Sequence, residues 1–337
     1  MSQPDADELA ARLTRLASGL WPKVRVSGLR RLAGGASSLT YVVGLDGAPE
    51  QCAVVKVAPA GLAATRNRDM LRQARVIAAL AGTAVRVPRV LFTDAGDEQA
   101  GQLFAMSFCP GESCEPNIDE NAPTATAAEL GGRSAHAARM LAATHGAATH
   151  GAAADLVAAE EPIPLDAEIS RWDRALATLP ADFGLDWTSV SALLHASVPV
   201  PVPPRLTHGD YRLGNLLCAG AKVTAVIDWE IWAAADPRTD LGWFLLSMDP
   251  GLHPAAVRAA TGVPGRAELL DEYAAAGGAP VADADWFIAL ALYKFTATTG
   301  LIAKHAVRRG DLASWGVAMI PALPGALRAA AGLVSAR

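Results

Sequence analysis

The spacing of apolar residues changes about a third of the way along the chain. Up to about residue 108, short apolar runs alternate with turn signals, a pattern that predicts short strands with one helix between them. RLAGGASSLTYVVGLDG combines a Gly-rich turn with a β-prone run that ends at another turn. Gln51 to Val57 predicts a buried strand, and residues 65–81 predict a helix. Met70, Ala74, Ile77, Ala78 and Ala81 would form its apolar stripe. VRVPRVLF and GQLFAMSF predict two further strands on either side of the turn AGDEQAG. After Pro110-Gly111 the texture becomes helical. Ala-rich segments at 125–148, 166–179, 254–276 and 284–308 are broken by Pro clusters such as VPVPVPPR. No repeat of fixed period is visible.

Composition narrows the class. With 337 residues the chain suggests two domains or one two-lobed unit, and 51% hydrophobic against 19% charged residues argues against disorder. A net charge of −5 excludes a strongly basic nucleic-acid binder, though not a local basic patch. The start, MSQPDADELAARL, has no positive region followed by an apolar one. No uncharged apolar run reaches the roughly 18–20 residues of a spanning helix. The expectation is a cytoplasmic protein with no membrane or nucleic-acid partner. Cys52, Cys109, Cys114 and Cys218 lack CxxC spacing, which suits reduced thiols. Cys109 and Cys114 are close enough in sequence for a disulfide or part of a metal site, but nothing completes one. Residues 155–337 hold 14 basic and 20 acidic side chains, which suits either a cationic substrate or a solvated helical surface. Only five of 29 basic residues are Lys, so a Lys within an apolar strand stands out.

The richest stretch is LTHGDYRLGNLLCAGAKVTAVIDWE. It predicts a loop and then a hairpin, with Leu216–Cys218 and Val223–Ile227 as strands and Ala219–Lys222 as the turn. The start of one strand lies beside the end of the other, so Asn215 and Asp228 share one end of the hairpin. An amide oxygen and a carboxylate held there form a hard-oxygen pair suited to Mg²⁺. Asp210 sits on the loop feeding the hairpin, where a carboxylate can accept a proton from an incoming hydroxyl.

The spacing H-x-D-x-x-x-x-N followed by Asp runs through His208, Asp210, Asn215 and Asp228. Together with DPRTDLGWF it resembles the aminoglycoside-phosphotransferase-like (choline-kinase-type) family of small-molecule kinases. The resemblance covers roughly residues 25–305. It implies an α+β, protein-kinase-like two-lobed fold, with a small β-rich lobe (1–108) that binds nucleotide. A larger, mainly helical lobe (109–337) would carry the catalytic loop and the acceptor site. Gly34, Gly35 and Ser37 match the family's phosphate-covering loop, although a plain hairpin turn has the same composition. Lys56 matches the phosphate-contacting Lys, which the downstream loop favours over a Lys on the strand's solvated face. Where the family carries a Glu to pair with that Lys, this chain has Gln73. Either Asp69, one turn away, supplies the charge, or Gln73 suffices as a neutral orienter, or the protein is a nucleotide-binding pseudokinase.

Backbone groups around Met106–Phe108 would read the adenine edge, with Met106 either lining its face or serving as core. Ser107 stands where many members carry an acidic residue, which leaves ATP against GTP open. The resemblance gives His208 and Asp240 the support of the catalytic loop, and Asp240 also fits a plain N-cap. His145 and His150 read as structural or surface residues. Acceptor contacts would come from the helical lobe, with Trp229, Glu230, Tyr273 and Lys294 as candidates alongside Trp243 and Tyr293, all of which are equally at home in a core. The motif wording is closest to the subgroup associated with acyl-CoA dehydrogenases. That implies Mg-ATP-dependent phosphorylation of a small-molecule alcohol such as a hydroxyacyl-CoA, with an aminoglycoside or another antibiotic as the alternative. Lys304, Arg308 and Arg309 could meet a CoA phosphate or form a solvated helix end. Oligomeric state is not legible.

Overall fold

A computed structural model describes residues 5–32, 38–61, 64–97, 100–120, 125–279 and 281–335. The Gly-rich turn at Gly34, Gly35 and Ser37 lies outside the described residues. The small lobe is a five-stranded antiparallel sheet of β1 (Arg25–Arg31), β2 (Leu39–Asp46), β3 (Cys52–Val57), β4 (Val90–Asp94) and β5 (Leu103–Ser107), in the order β1-β2-β3-β5-β4. Strand side chains alternate faces. Ala53, Val55 and Val57 of β3 therefore join one core with Leu39, Val43 and Leu103. Lys56 projects from the opposite face, toward the helical lobe, and pairs across the sheet with Thr40 and Phe104.

Two helices flank this sheet, one more than the apolar spacing predicts. The additional one, α1 (Ala6–Ser18), is capped by Asp5, whose carboxylate accepts the N–H groups of Asp7 and Glu8. It buries Leu9, Leu13 and Ala17 against the first face. Arg12 Nε donates to Asp94 Oδ2 at 2.8 Å and ties the helix to β4. The expected helix is α2 (Met70–Leu80). Its buried face differs from the expected stripe. Ala78 and Ala81 are exposed, while Gln73, Val76 and Leu80 are buried with Met70, Ala74 and Ile77.

The larger lobe contains α3 (Ala127–Ala147), α4 (Gly151–Ala158), α5 (Leu165–Leu176), α6 (Trp187–Ala196), α7 (Arg238–Met248), α8 (Arg266–Ala275), α9 (Ala284–Arg308), α10 (Trp315–Ala318) and α11 (Leu323–Ser335). Four short strands complete it as two pairs, β6 (Arg205–Thr207) with β9 (Ala233–Ala235), and the hairpin β7 (Leu216–Ala219) with β8 (Lys222–Val226). The core of this lobe is continuous with α2 and with Phe104 and Met106 of β5. The helix expected over 254–276 begins only at Arg266. The preceding residues form a loop held by Asn117, which accepts the N–H groups of Val257 and Ala260. Arg258 Nε donates to Pro116 O at 2.8 Å. Two helical segments, 284–308 and 315–335, are long and apolar enough to cross a membrane, but 78% of the first segment's apolar window is buried within the protein. All four thiols are free, and Cys114 and Cys218 are buried.

Candidate active site

The hairpin β7–β8 turns at Gly220, which adopts a left-handed conformation with φ 55°. Ile227 N–H donates to Asn215 O at 3.0 Å, which carries the pairing one step past the strands. Asn215 and Asp228 therefore flank the same end, as their spacing predicts. Asp228 is the only non-glycine residue with positive φ (65°) among the described residues. Asp tolerates this region better than most residues, and such strain concentrates at functional sites.

Asp228 Oδ1 accepts a hydrogen bond from Lys56 Nζ at 2.5 Å, and Gln73 Oε1 accepts a second at 3.2 Å. Burial pushes the Asp228 carboxyl up, but the Lys56 ammonium outweighs it and holds the carboxyl below its usual range. Lys56 is thus buried and paired rather than on a solvated face. Gln73 is fixed in turn by its Nε2, which donates to Asn67 O at 3.0 Å. Asp69 plays a different part from the one considered for it. It caps α2, accepting the Arg72 N–H at 2.8 Å, whereas the Lys56 ammonium donates to Asp228 and Gln73. An N-cap carboxylate must face its own helix start, which turns it away from a partner one turn further along. Of the two candidates for holding Lys56, the neutral Gln73 is the one in contact.

Asp210 receives hydrogen bonds on both carboxylate oxygens. Oδ1 accepts from Trp243 Nε1 at 2.8 Å, and Oδ2 from Asn215 Nδ2 at 2.7 Å. Arg212 Nε bridges the two oxygens at 3.2 and 3.3 Å. Arg212 Nη1 also donates to Glu115 Oε1 at 2.9 Å, and the Gly214 N–H reaches the same oxygen at 2.7 Å. Burial raises the Glu115 pKa, with Arg212 offsetting only part of it. Burial opposes the charge on Arg212, but Asp210 and Glu115 outweigh that and raise its pKa. Arg212, Trp243 and Glu115 thus form a frame around Asp210 that motif spacing does not reveal.

The loop itself is held from behind. Asp240 is buried and accepts the backbone N–H groups of His208 at 2.6 Å and Gly209 at 2.8 Å. Its carboxylate therefore clasps the loop directly. Gly209 has φ 85°, and a Cβ there would meet Ile231 O at 2.6 Å, so only glycine fits. His208 Nε2 lies 2.8 Å from Ile227 O, and its Nδ1 accepts the Asp210 N–H at 3.2 Å. With Nδ1 accepting, Nε2 is the donor. His208 therefore joins the loop to the hairpin. His145 is buried, with Nε2 3.6 Å from Asp240 and Nδ1 2.8 Å from the Tyr273 hydroxyl.

Burial raises the Asp240 carboxyl, yet His145, His208 and the backbone donors together lower it below its ordinary value. A depressed carboxyl stabilises the fold above the unfolded pKa of about 3.9, and that contribution is lost as pH falls through the lower folded value. Asp240→Asn is expected to cost about 3 kcal/mol at neutral pH. The difference from wild type should shrink below about pH 4, as wild-type Asp240 also becomes protonated. Urea unfolding followed from pH 7 to pH 3 checks both statements.

The candidate acceptor contacts divide. Trp229 is fully buried, lies tilted against His208 with ring centroids 4.7 Å apart and donates from Nε1 to Val226 O, so it is core. Tyr273 and Tyr293 are buried as well, engaged by His145 and Asp173 respectively. These three are withdrawn as acceptor contacts because none reaches a cleft. Glu230, Trp243 and Lys294 do line one, a cavity of about 550 Å³ that also contains Asp210 and Arg212. Lys294 lies over the Trp243 ring, 4.3 Å from its centroid, and donates to Gly209 O. Burial lowers its pKa, partly restored by Asp210. On the nucleotide side, Met106 is buried within the sheet, between Val54 and Val90, while Phe108 follows the end of β5 half-exposed.

Residues 28–287 match the phosphotransferase enzyme family. The chain belongs to this family. Its members are phosphotransferases, and the two-lobed fold agrees. A solved structure from Ralstonia eutropha, provisionally described as an aminoglycoside phosphotransferase, is 21% identical with a TM-score of 0.72, covering 97% of this chain and 98% of that one. The macrolide 2'-phosphotransferase from Brachybacterium faecium is 21% identical with a TM-score of 0.57, covering 95% and 98%. A spectinomycin phosphotransferase solved with ADP and spectinomycin is 12% identical with a TM-score of 0.63, covering 98% and 99%. At these identities the likeness is one of fold. Among curated proteins, mouse acyl-CoA dehydrogenase family member 10 is 26% identical over 226 residues. The match covers 63% of this chain and only 20% of that protein.

Proposed function

We propose that this protein transfers the terminal phosphoryl group of ATP to a hydroxyl group of a small molecule. The observation that carries the reading is the linkage of Lys56, Asp228, Asn215 and Asp210. Lys56 is fixed against Asp228, and Asn215 ties that end of the hairpin to the Asp210 carboxylate. ADP in the spectinomycin phosphotransferase structure supports nucleotide use in the same fold. In the reaction, the acceptor oxygen forms a bond to the γ-phosphorus and the bond to the bridging oxygen of ADP breaks. Asp210 aligns the hydroxyl and takes its proton, and Lys56 holds the α- and β-phosphates.

The residues present fit Mg²⁺. The Asn215 amide nitrogen is turned onto Asp210, which leaves its oxygen available, and Asp228 flanks the same hairpin end, so the two can supply hard oxygen donors. Asn215 and Asp228 would hold the ion, which supplies neutralisation of phosphate charge when bound. Among acceptors, the motif wording and the acyl-CoA dehydrogenase in the mouse relative's name support a hydroxyacyl-CoA over an aminoglycoside. Mg-ATP turnover against a panel of hydroxyacyl-CoAs, aminoglycosides and sugar alcohols tests this. ATP binding with no phosphorylated product from the panel would favour a nucleotide-binding pseudokinase.

The Gln73–Lys56 contact supports an active enzyme, because it keeps the ammonium placed without a second carboxylate. Gln73→Ala is expected to raise the KM for ATP about tenfold, the loss of one charge-assisted hydrogen bond. Asp69→Asn, which keeps a capable N-cap, should change KM and kcat by less than about twofold. Steady-state kinetics of the two variants separate these roles.

A further inference from the structure

The acceptor cleft combines apolar walls with charges that are already committed within the protein. Its lining includes an edge-to-face series of rings. His253 lies 5.1 Å from Phe295, and Phe295 lies 6.5 Å from Trp315. Ile302 and Trp315 also line it and remain 47% and 49% exposed, so they form an apolar lip. Large side chains left half-exposed beside a cavity are the mark of an apolar ligand surface.

Each carboxylate in the cleft has a protein partner. Glu115 is held by Arg212 and Gly214, and Asp210 by Arg212, Trp243 and Asn215. Asp119 accepts the Glu115 N–H at 2.6 Å, and Glu230 is engaged as well. Both cations are committed too, Arg212 to these acids and Lys294 to Gly209 O. The hydroxyls of Ser247 and Thr298 donate to carbonyls of their own helices. His253 carries no charge near neutrality, because burial lowers its pKa to about 4. Its Nδ1 accepts the Ala255 N–H at 3.2 Å.

A polycationic acceptor seated at Asp210 would have to compete with the half-buried Arg212 for the Asp210 and Glu115 carboxylates, which is costly. An apolar body would disturb none of them. We infer that the cleft takes the uncharged, extended apolar part of an alcohol, such as an acyl chain, directed along Phe295, Ile302 and Trp315 with its hydroxyl at Asp210. This rests on the proposed transfer at Asp210.

Calorimetric titration of the full-length protein in the presence of ADP, using linear 1-alkanols of six to ten carbons and a polycationic aminoglycoside, tests it. Affinity is expected to rise about fourfold for each buried methylene. The aminoglycoside should bind at least about tenfold more weakly than the longest alkanol, as expected when Arg212 already holds Asp210 and Glu115. Ile302→Ser and Trp315→Ser, both at exposed positions, should flatten the chain-length dependence. Affinity independent of chain length, a slope unchanged in both lip variants, or tighter binding of the aminoglycoside would overturn the inference. Because the readout is binding, it is separable from turnover. A chain-length slope that persists in Asp210→Ala, combined with no phosphoryl transfer to any alcohol by wild type, would overturn transfer at this cleft while leaving its ligand class in place.

Discussion

Replacing Asp210 with Ala is expected to lower kcat/KM for phosphoryl transfer about 10³-fold while the protein remains folded. The carboxylate is met by Trp243, Asn215 and Arg212, all of them donors. This explains why Ala is a better test than Asn, whose amide hydrogens would be turned toward donors at one end. Its removal leaves Arg212 paired with Glu115 at 2.9 Å, so no cation is left buried alone. The midpoint of thermal unfolding should move by less than about 3 °C. Loss of activity should fall on kcat rather than on the KM for ATP, because Asp210 acts on the acceptor hydroxyl. Circular dichroism melting together with steady-state kinetics reads both quantities.

Asp228 should behave differently. Asp228→Asn is expected to remove at least about 10³-fold of transfer activity and to weaken ATP binding in the presence of Mg²⁺. Asn tolerates the left-handed backbone at this position and can still accept from Lys56, so the hairpin end keeps its shape. What is lost is the negative charge that pairs with the Lys56 ammonium and, in the proposed mechanism, with the metal. Asp228→Ala combines that loss with a side chain poorly suited to positive φ, at an added cost of about 1 kcal/mol. The Asn variant isolates the charge, and the difference between the two variants in urea midpoint isolates the backbone.

The parts of the site legible in the sequence are those that lie close together along the chain. His208, Asp210, Asn215 and Asp228 fall within one loop and one hairpin, and a hairpin's pairing follows from its turn. Lys56 stood out because a Lys inside an apolar strand needs a partner. Long-range partners left no such trace. Glu115 meets Arg212 from 97 residues away, and Lys294 reaches Gly209 across 85. Aromatic residues were ambiguous for a related reason. Trp229 and Trp243 are equally apolar in the sequence, yet the first is sealed under His208 and the second points its Nε1 at Asp210.

The fold shows the same division. Strands β2 to β5 follow from short apolar runs between turns, and α3, α5 and α9 from Ala-rich composition, but the same composition misled at residues 254–265. That stretch is Ala-rich, but Pro254, Gly262 and Pro264 interrupt it and Asn117 supplies hydrogen bonds that compete with a helix. The amphipathic α1, with Leu9, Leu13 and Ala17 at four-residue spacing behind the Asp5 cap, carried a readable signal that the strand-dominated pattern around it obscured. Gln73 lies on the buried face of α2 because its partner is Lys56, a pairing that a hydrophobic stripe cannot predict.

The central claim is that the Lys56–Asp228–Asn215–Asp210 cluster performs nucleotide-dependent transfer to a hydroxyl. It is tested most directly by following the label from [γ-³²P]ATP into an organic acceptor, with wild type and Asp228→Asn assayed side by side in Mg²⁺. The account predicts a labelled phosphate ester from wild type, none without Mg²⁺, and at least about 10³-fold less from the variant. Label transfer by Asp228→Asn at the wild-type rate would contradict it.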